Sequence, residues 1–228
     1  MQTAFFEDLA QRSKRTLRLE DAVVNGPRGA VFGPLAVESD SAITMICGSR
    51  GSGRTALLLV LAGRMRLSLG SAEVLGTTRL AEMRRRIGIA GFADIDALEP
   101  TATVSATLRE RLAWVSPWYQ RTPKVTPAAA RELLARAFGD LAQPAADTLV
   151  QDLVPADEML LRIALALTES PQMLVIDDFD ELRSSADRQL VADRLTALAA
   201  TGIRVVLATT DPADAMHFAS EPPALIEL

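Results

Sequence analysis

Apolar residues fall in short blocks along this chain, and glycine, proline and small polar residues separate the blocks. Residues 17–24 and 30–37 read as two strands. The turn residues Asn25-Gly26-Pro27 between them predict an antiparallel pair. Ile43–Cys47 is an apolar strand that runs into a glycine-rich loop, and the block 56–62 beyond the loop reads as a buried helix ending near Gly63. Residues 70–76 form a strand bounded by glycines, Leu80–Arg86 a polar helix, and Ile87–Ala90 a short buried strand. From 91 to 154 the character changes. Helix-like segments at 104–114 and Pro127–Phe138 are joined by Ser/Pro/Gly-rich links, with no clear strand.

A second strand–helix region follows. Residues 155–169 predict a helix with Pro155 in its first turn. Met173–Ile176 predicts a strand running into Asp177-Asp178, 187–200 a helix and 205–208 a strand. Asp211-Pro212 opens another helix, and 225–228 reads as a last short strand. Alternating strands and helices imply an α/β fold with a mostly parallel sheet covered on both faces. Residues 1–15 carry Phe5, Phe6 and Leu9 without a long apolar core, so they read as a short amphipathic helix or a frayed tail and not as a secretory signal.

Composition narrows the picture. With 228 residues, 49% of them hydrophobic, the chain suits one domain with a large core, or one domain with a subdomain. The formal net charge of −5 argues against a general nucleic-acid binder. The single cysteine, Cys47, excludes an internal disulfide and suits a cytoplasmic setting. No apolar run approaches the ~20 residues of a membrane span. All of the 24 basic residues except Lys14 and Lys124 are arginines.

The candidate chemistry centres on Gly48-Ser49-Arg50-Gly51-Ser52-Gly53-Arg54-Thr55. Strand, glycine-rich loop and helix are the context of a phosphate-binding loop. Glycines let backbone N–H groups turn toward an anion, and the helix N-terminus adds its positive dipole end. The pattern G-x-x-x-x-G-K-[ST] is met except at the lysine, which is Arg54. Gly48, Ser49, Gly51, Ser52, Gly53, Arg54, Thr55 and Ala56 are the candidate nucleotide-binding residues. The competing reading is an ordinary tight strand–helix turn. The change at Arg54 fits two explanations, a chain-wide drift to arginine or a loss of phosphate chemistry. Asp177 ends an apolar strand, where a carboxylate needs a partner; it is either a metal ligand, together with the Thr55 hydroxyl, or an N-cap or turn aspartate.

Taken together, the order and spacing of these segments resemble the ATP-binding-cassette (ABC) ATPase family over nearly the whole chain. Gly70-x-x-x-Val74-x-Gly76 resembles its small β-subdomain, and Arg84-Arg85-Arg86-Ile87-Gly88 the stretch before its glutamine loop. Thr103-Val104 with Leu108 resembles the start of its helical subdomain, and Arg162-Ile163-Ala164-Leu165-Ala166 the helix after its signature motif. The run from Ser170 to Asp178 resembles the approach to the Walker B acids, and Thr209-Thr210-Asp211 the switch loop. The resemblance implies a P-loop NTPase of ABC type, mostly parallel sheet with an antiparallel β-subdomain and a helical subdomain. The implied division is a core of 16–91 and 160–228 with a helical subdomain at 92–159. It further implies ATP and Mg2+ as cofactors, and Asp178 at the position of the catalytic glutamate. Asp178 is one methylene short for that role. Asp178, Asp180 and Glu181 equally read as a solvated acidic turn.

The chain departs from the family at most matched positions. Arg54 keeps the loop charge in a larger planar fork. Phe92 stands where the glutamine would be, and Thr210 where the switch histidine would be. His217 lies too far along the next helix to substitute. No aromatic ring lies near Asn25 to stack on adenine, and Phe32 suits core packing better. Pro155-Ala156-Asp157-Glu158-Met159 replaces the glycine-bearing signature. Asp157 and Glu158 suit a helix N-terminus, worth ~0.3–1 kcal/mol. Yet like charges ~4 Å apart repel by about 4 kcal/mol at an effective dielectric of ~20, so these acids oppose an incoming phosphate.

The resemblance implies a cassette associated with a membrane permease, cytoplasmic and peripheral at the inner face of the membrane, with a second ATPase subunit as a further partner. The altered motifs imply ATP binding with weak or absent hydrolysis. The alternative is a pseudo-ATPase, a structural or regulatory interaction module without turnover. A different P-loop enzyme, such as a small-molecule kinase, fits the helical insertion less well. Trp114, Pro117, Trp118 and Tyr119 gather aromatic residues that suit either a partner surface or the core of the helical region.

Overall fold

The computed structural model describes residues 16–228 apart from 28, 94, 118, 120, 121 and 123. The reading of residues 1–15, and the position of Trp118, lie outside the described residues.

Two sheets organise the chain. β1 (Leu17–Gly26), β2 (Gly29–Ser39) and β4 (Leu69–Val74) form an antiparallel sheet in the order β2-β1-β4. β3 (Ile43–Cys47), β5 (Ile87–Ala90), β6 (Met173–Ile176), β7 (Arg204–Thr209) and β8 (Ala224–Glu227) form a parallel sheet in the order β5-β6-β7-β3-β8. Every residue of β3 and β6 is buried, as expected for strands covered on both faces.

Side-chain alternation along these strands divides the interior into two cores. Ile46, Val175, Val206 and Ala208 face α1 (Arg54–Leu61) and the antiparallel sheet. Met45, Leu174, Ile176, Val205 and Leu207 face the other way. There they meet α3 (Val104–Val115), α4 (Pro127–Phe138), α5 (Pro155–Leu167) and α6 (Ser185–Ala200). α2 (Leu80–Arg86) leads directly into β5.

Helix starts follow local chemistry. Thr103 and Thr126 cap α3 and α4 through hydrogen bonds from Ala106 N and Ala129 N, and Pro127 and Pro155 occupy first-turn positions where a missing N–H does no harm. α5 stops at Leu167, two residues short of its sequence boundary, where the Thr168 hydroxyl donates to Leu165 O at 2.6 Å. The segment opened by Asp211 is a 3-10 helix, Pro212–Phe218, and not a longer α-helix.

The sequence left two readings of the aromatic cluster. Trp114 is 78% exposed and Tyr119 70% exposed, so neither ring closes a core.

Candidate functional site

The carboxyl ends of β3, β5, β6 and β7 lie side by side, with Cys47 opposite Thr209 and Ala90 opposite Ile176. Ligands of open α/β sheets bind outside such ends. Each strand delivers one part of the site. β3 feeds the loop 48–53, β5 feeds Gly91-Phe92, β6 feeds Asp177-Asp178 and β7 feeds Thr210.

The loop is held from below and behind. Gly48 N donates to Thr209 O at 3.3 Å, Ser52 N to Ser49 O at 3.1 Å, and Leu57 N to Gly53 O at 2.9 Å. Gly53 has φ +94°, and a side chain there would press on Val31 O at 2.6 Å and Phe32 Cβ at 2.8 Å. The β1–β2 hairpin is thus the back wall of the loop. Phe32 is buried in that wall, which fits packing and leaves it no role as a stacking ring. Gly51 has φ +85° and faces open space, with Ser49 and Thr55 also exposed. Ser52 Oγ is buried without a hydrogen-bond partner among the described residues. Ala56 is buried in the first turn of α1.

Asp177 is 2% exposed, and its Oδ1 is buried with no hydrogen-bond partner among the described residues. A capping or turn aspartate would have spent that oxygen on a backbone N–H. An orphaned carboxylate oxygen, with the exposed Thr55 hydroxyl on the neighbouring helix, fits one side of a hard divalent cation. Mg2+ takes few protein oxygens and completes its shell with water and phosphate. The described residues hold no group of three or more His, Cys, Asp or Glu arranged around an ion, so no all-protein cage is present among them.

Arg54 is where the structure adds most. Its side chain is 9% exposed and ion-paired, Nη1 to Asp180 Oδ1 at 3.4 Å. The Asp180 side chain is 8% exposed, and its Oδ2 accepts from the Thr210 hydroxyl at 2.8 Å. The reading of Asp180 as part of a solvated acidic turn is therefore corrected. One carboxylate joins two positions where the chain departs from the family. The turn that presents it, Phe179–Glu181, is braced by Arg188 of α6. Arg188 Nε donates to Leu182 O at 2.6 Å, and Nη1 pairs with the buried Asp214 at 2.9 Å. Asp214 in turn accepts from the Thr209 hydroxyl. Sequence reading missed Arg188 and Asp214 because neither sits in a motif.

Asp178 adopts a left-handed conformation, φ 52°, tolerated by aspartate and asparagine better than by most residues. Burial, then Asp177, Glu181 and Asp180, push its carboxyl up to about 6, against Arg54. The folded chain therefore holds this proton more tightly than the unfolded chain. The carboxyl favours folding below about pH 4 and that contribution is lost as pH rises through 6. Asp178→Asn in chelator is expected to raise the melting temperature at pH 7.5 and flatten its fall between pH 4 and 7. Solvent screening limits the effect to ~1 kcal/mol, or roughly 2–4 °C in a chain of this size. An unchanged pH profile would show that Asp178 is an ordinary exposed carboxylate.

Phe92 is 2% exposed and sits in one core cluster with Met173 and Val175. His217 sits half-buried against Gln189, its Nδ1 3.0 Å from Gln189 Oε1. At the head of α5, Glu158 pairs with Arg162 at 2.8 Å, and Arg162 also holds Asp96 at 3.2 Å. The expected repulsive pair is thus half compensated. Asp157 has no such partner among the described residues, and burial and then Asp187 push its carboxyl up. Asp178, Glu181, Glu158 and Met159 line a cleft of about 250 Å³ with Gly91.

A phosphate-binding-type loop, a strand-end carboxylate at the same end of the sheet, an antiparallel three-stranded sheet and a helical layer over a parallel sheet define the ABC class of P-loop fold. The comparisons with known proteins agree with that class. The chain is 19% identical, with a TM-score of 0.71, to the dimeric bacterial ABC transporter cassette MJ0796, covering 93% of this chain and 94% of that one. It is 18% identical, with a TM-score of 0.68, to the ADP conformation of MJ1267, an ATP-binding cassette of an ABC transporter, covering 90% and 84%. In sequence it is 29% identical over 168 residues to the ribose import ATP-binding protein RbsA of Cereibacter sphaeroides, covering 70% of this chain and 30% of that protein. It is 29% identical over 185 residues to the Nod factor export ATP-binding protein I of Burkholderia orbicola, covering 80% and 56%. The chain spans about half the length, or less, of these curated relatives. No family model matches it. The chain has the ATP-binding-cassette fold, and its sequence resembles ABC ATP-binding proteins over most of its length.

Proposed function

We propose that this chain is a nucleotide-binding cassette that works with a membrane permease and binds Mg-ATP with slow or no turnover. The observation that carries the proposal is an open glycine loop and an orphaned buried carboxylate oxygen at the same end of one parallel sheet, with the sensing positions occupied otherwise. Ser49, Gly51, Gly53 and Ala56 would offer the phosphates backbone N–H groups and Arg54 its guanidinium, while the Gly48 and Ser52 N–H groups hold the loop in shape through Thr209 O and Ser49 O. Thr55 and Asp177 would hold Mg2+, whose chemistry there is to neutralise phosphate charge. Asp178 is the candidate base, raised in pKa but one methylene short of the family's glutamate. Phe92 and Thr210 offer no charge to a terminal phosphate.

The relatives named above are import and export ATP-binding proteins, which supports placing this chain on a transporter. Between the helical segment and the core lies a groove of about 420 Å³ lined by Ile95, Leu98, Arg111 and Trp114, with Ile95 51% and Trp114 78% exposed. We assign this groove to the permease, residues 92–159 to the unit that forms it, and 16–91 with 160–228 to the nucleotide core. No helix among the described residues is long and apolar enough to cross a membrane; the cassette would sit at the inner face on its permease, beside a second ATPase subunit. Net charge of −5 supports no role on nucleic acid. The Arg54–Asp180 pair favours a second reading, an interaction module that takes no nucleotide.

Thermal melting decides between them. Mg-ATP at about 100 times its dissociation constant adds ~2.7 kcal/mol, a rise of roughly 5–11 °C. Hydrolysis is expected to stay near the level of Asp178→Asn. No shift at millimolar Mg-ATP would favour the module. Fast hydrolysis abolished by Asp178→Asn would overturn the slow-turnover reading.

A further inference from the structure

We infer that Asp180 is an internal occupant of the phosphate seat, a carboxylate that nucleotide must displace from Arg54 before the loop can bind it. The inference rests on the nucleotide-binding reading. Among the described residues Arg54 has one ion pair, and it is Asp180. Both side chains are more than nine-tenths buried, so little water screens the contact. The second carboxylate oxygen is fixed by the Thr210 hydroxyl. Arg54 and Thr210 occupy two of the positions at which the resemblance places phosphate-contacting groups, and the same acid claims both. The pair at 3.4 Å is looser than the usual charge-assisted bond of about 2.7–2.9 Å, so it is a contact that a better acceptor can replace. A phosphate offers the guanidinium more charge and two parallel oxygens. Entering beside an undisplaced Asp180, it would instead face Asp177, Asp178, Asp180 and Glu181 within five residues of chain. The ligand class that fits is therefore an oligophosphate carried with a divalent cation, which compensates the released carboxylate.

The test is calorimetric titration of Mg-ATP into the full chain. Asp180→Asn, nearly isosteric, is expected to tighten binding about tenfold. In an Arg54→Met background the same change is expected to have under about a twofold effect, because the contest for the guanidinium is gone. Glu181→Gln removes an equal charge without touching Arg54 and is expected to matter less than about threefold. If the native chain binds Mg-ATP and Asp180→Asn binds it equally or more weakly, the inference falls while the nucleotide reading stands. If Asp180→Asn binds and the native chain does not, the inference holds and the native chain is a latent binder. If neither binds, both readings fall. Should Asp180→Asn fail to fold, Thr210→Val, which frees one carboxylate oxygen, is expected to tighten binding about threefold, and no gain there overturns the inference.

Discussion

Arg54→Met will lower the melting temperature of the ligand-free protein by roughly 6–20 °C. The substitution keeps an unbranched apolar side chain in a site that is 9% exposed and removes only the guanidinium. Asp180 is then left nine-tenths buried with the Thr210 hydroxyl as its partner. Breaking a buried pair from one side typically costs ~3–5 kcal/mol, because a charge remains without compensation. At 2–4 °C per kcal/mol for a chain of this size, that becomes the stated range. Adding Asp180→Leu is expected to restore much of the loss, since apolar replacement of both partners is often neutral. Differential scanning calorimetry of the native protein, Arg54→Met, Asp180→Leu and the double variant gives the coupling directly. A drop below about 2 °C for Arg54→Met would mean the pair contributes as little as an exposed one.

Gly53→Val should be the most damaging change in the loop. Valine there would need φ near +94°, a conformation that β-branched residues essentially avoid, and its Cβ would press on the backbone oxygen of Val31 at 2.6 Å. A backbone oxygen within a paired strand cannot step aside as a flexible side chain can. Strain and overpacking together amount to about 2–6 kcal/mol. Gly51 supplies the contrast. It also has positive φ, +85°, but nothing lies within 4 Å of an added Cβ. Gly51→Ala should therefore cost only ~1–2 kcal/mol. Circular dichroism melts of the two variants test the difference. Equal losses would show that the hairpin does not back the loop.

Much of the fold was legible because its strands are short apolar runs ended by unmistakable turn residues. Ile87–Ala90, Met173–Ile176 and Pro127–Phe138 have the same limits in the sequence and in the structure. The loop was legible for the same reason, since strand, glycines and helix are consecutive. Asp180 was not, because its partner Arg54 is 126 positions away and local reading saw only a run of acids. Glu158 could have been caught, since Arg162 follows it by one helical turn, a spacing that pairs opposite charges. The exposure of Trp114 could not, because its residue type suits an interface and a core equally.

The position of β3 in its sheet has a consequence for how the molecule assembles. The strand that carries the loop pairs with β7 on one side and β8 on the other, and both come from the last quarter of the chain. Such distant pairing is slow, because a long loop must close before any contact rewards it. During synthesis β3 waits with both edges unpaired until β7 and β8 have been made. The strand beneath the glycine loop therefore gains its neighbours only after those distant segments exist, well after the loop's own sequence has been made.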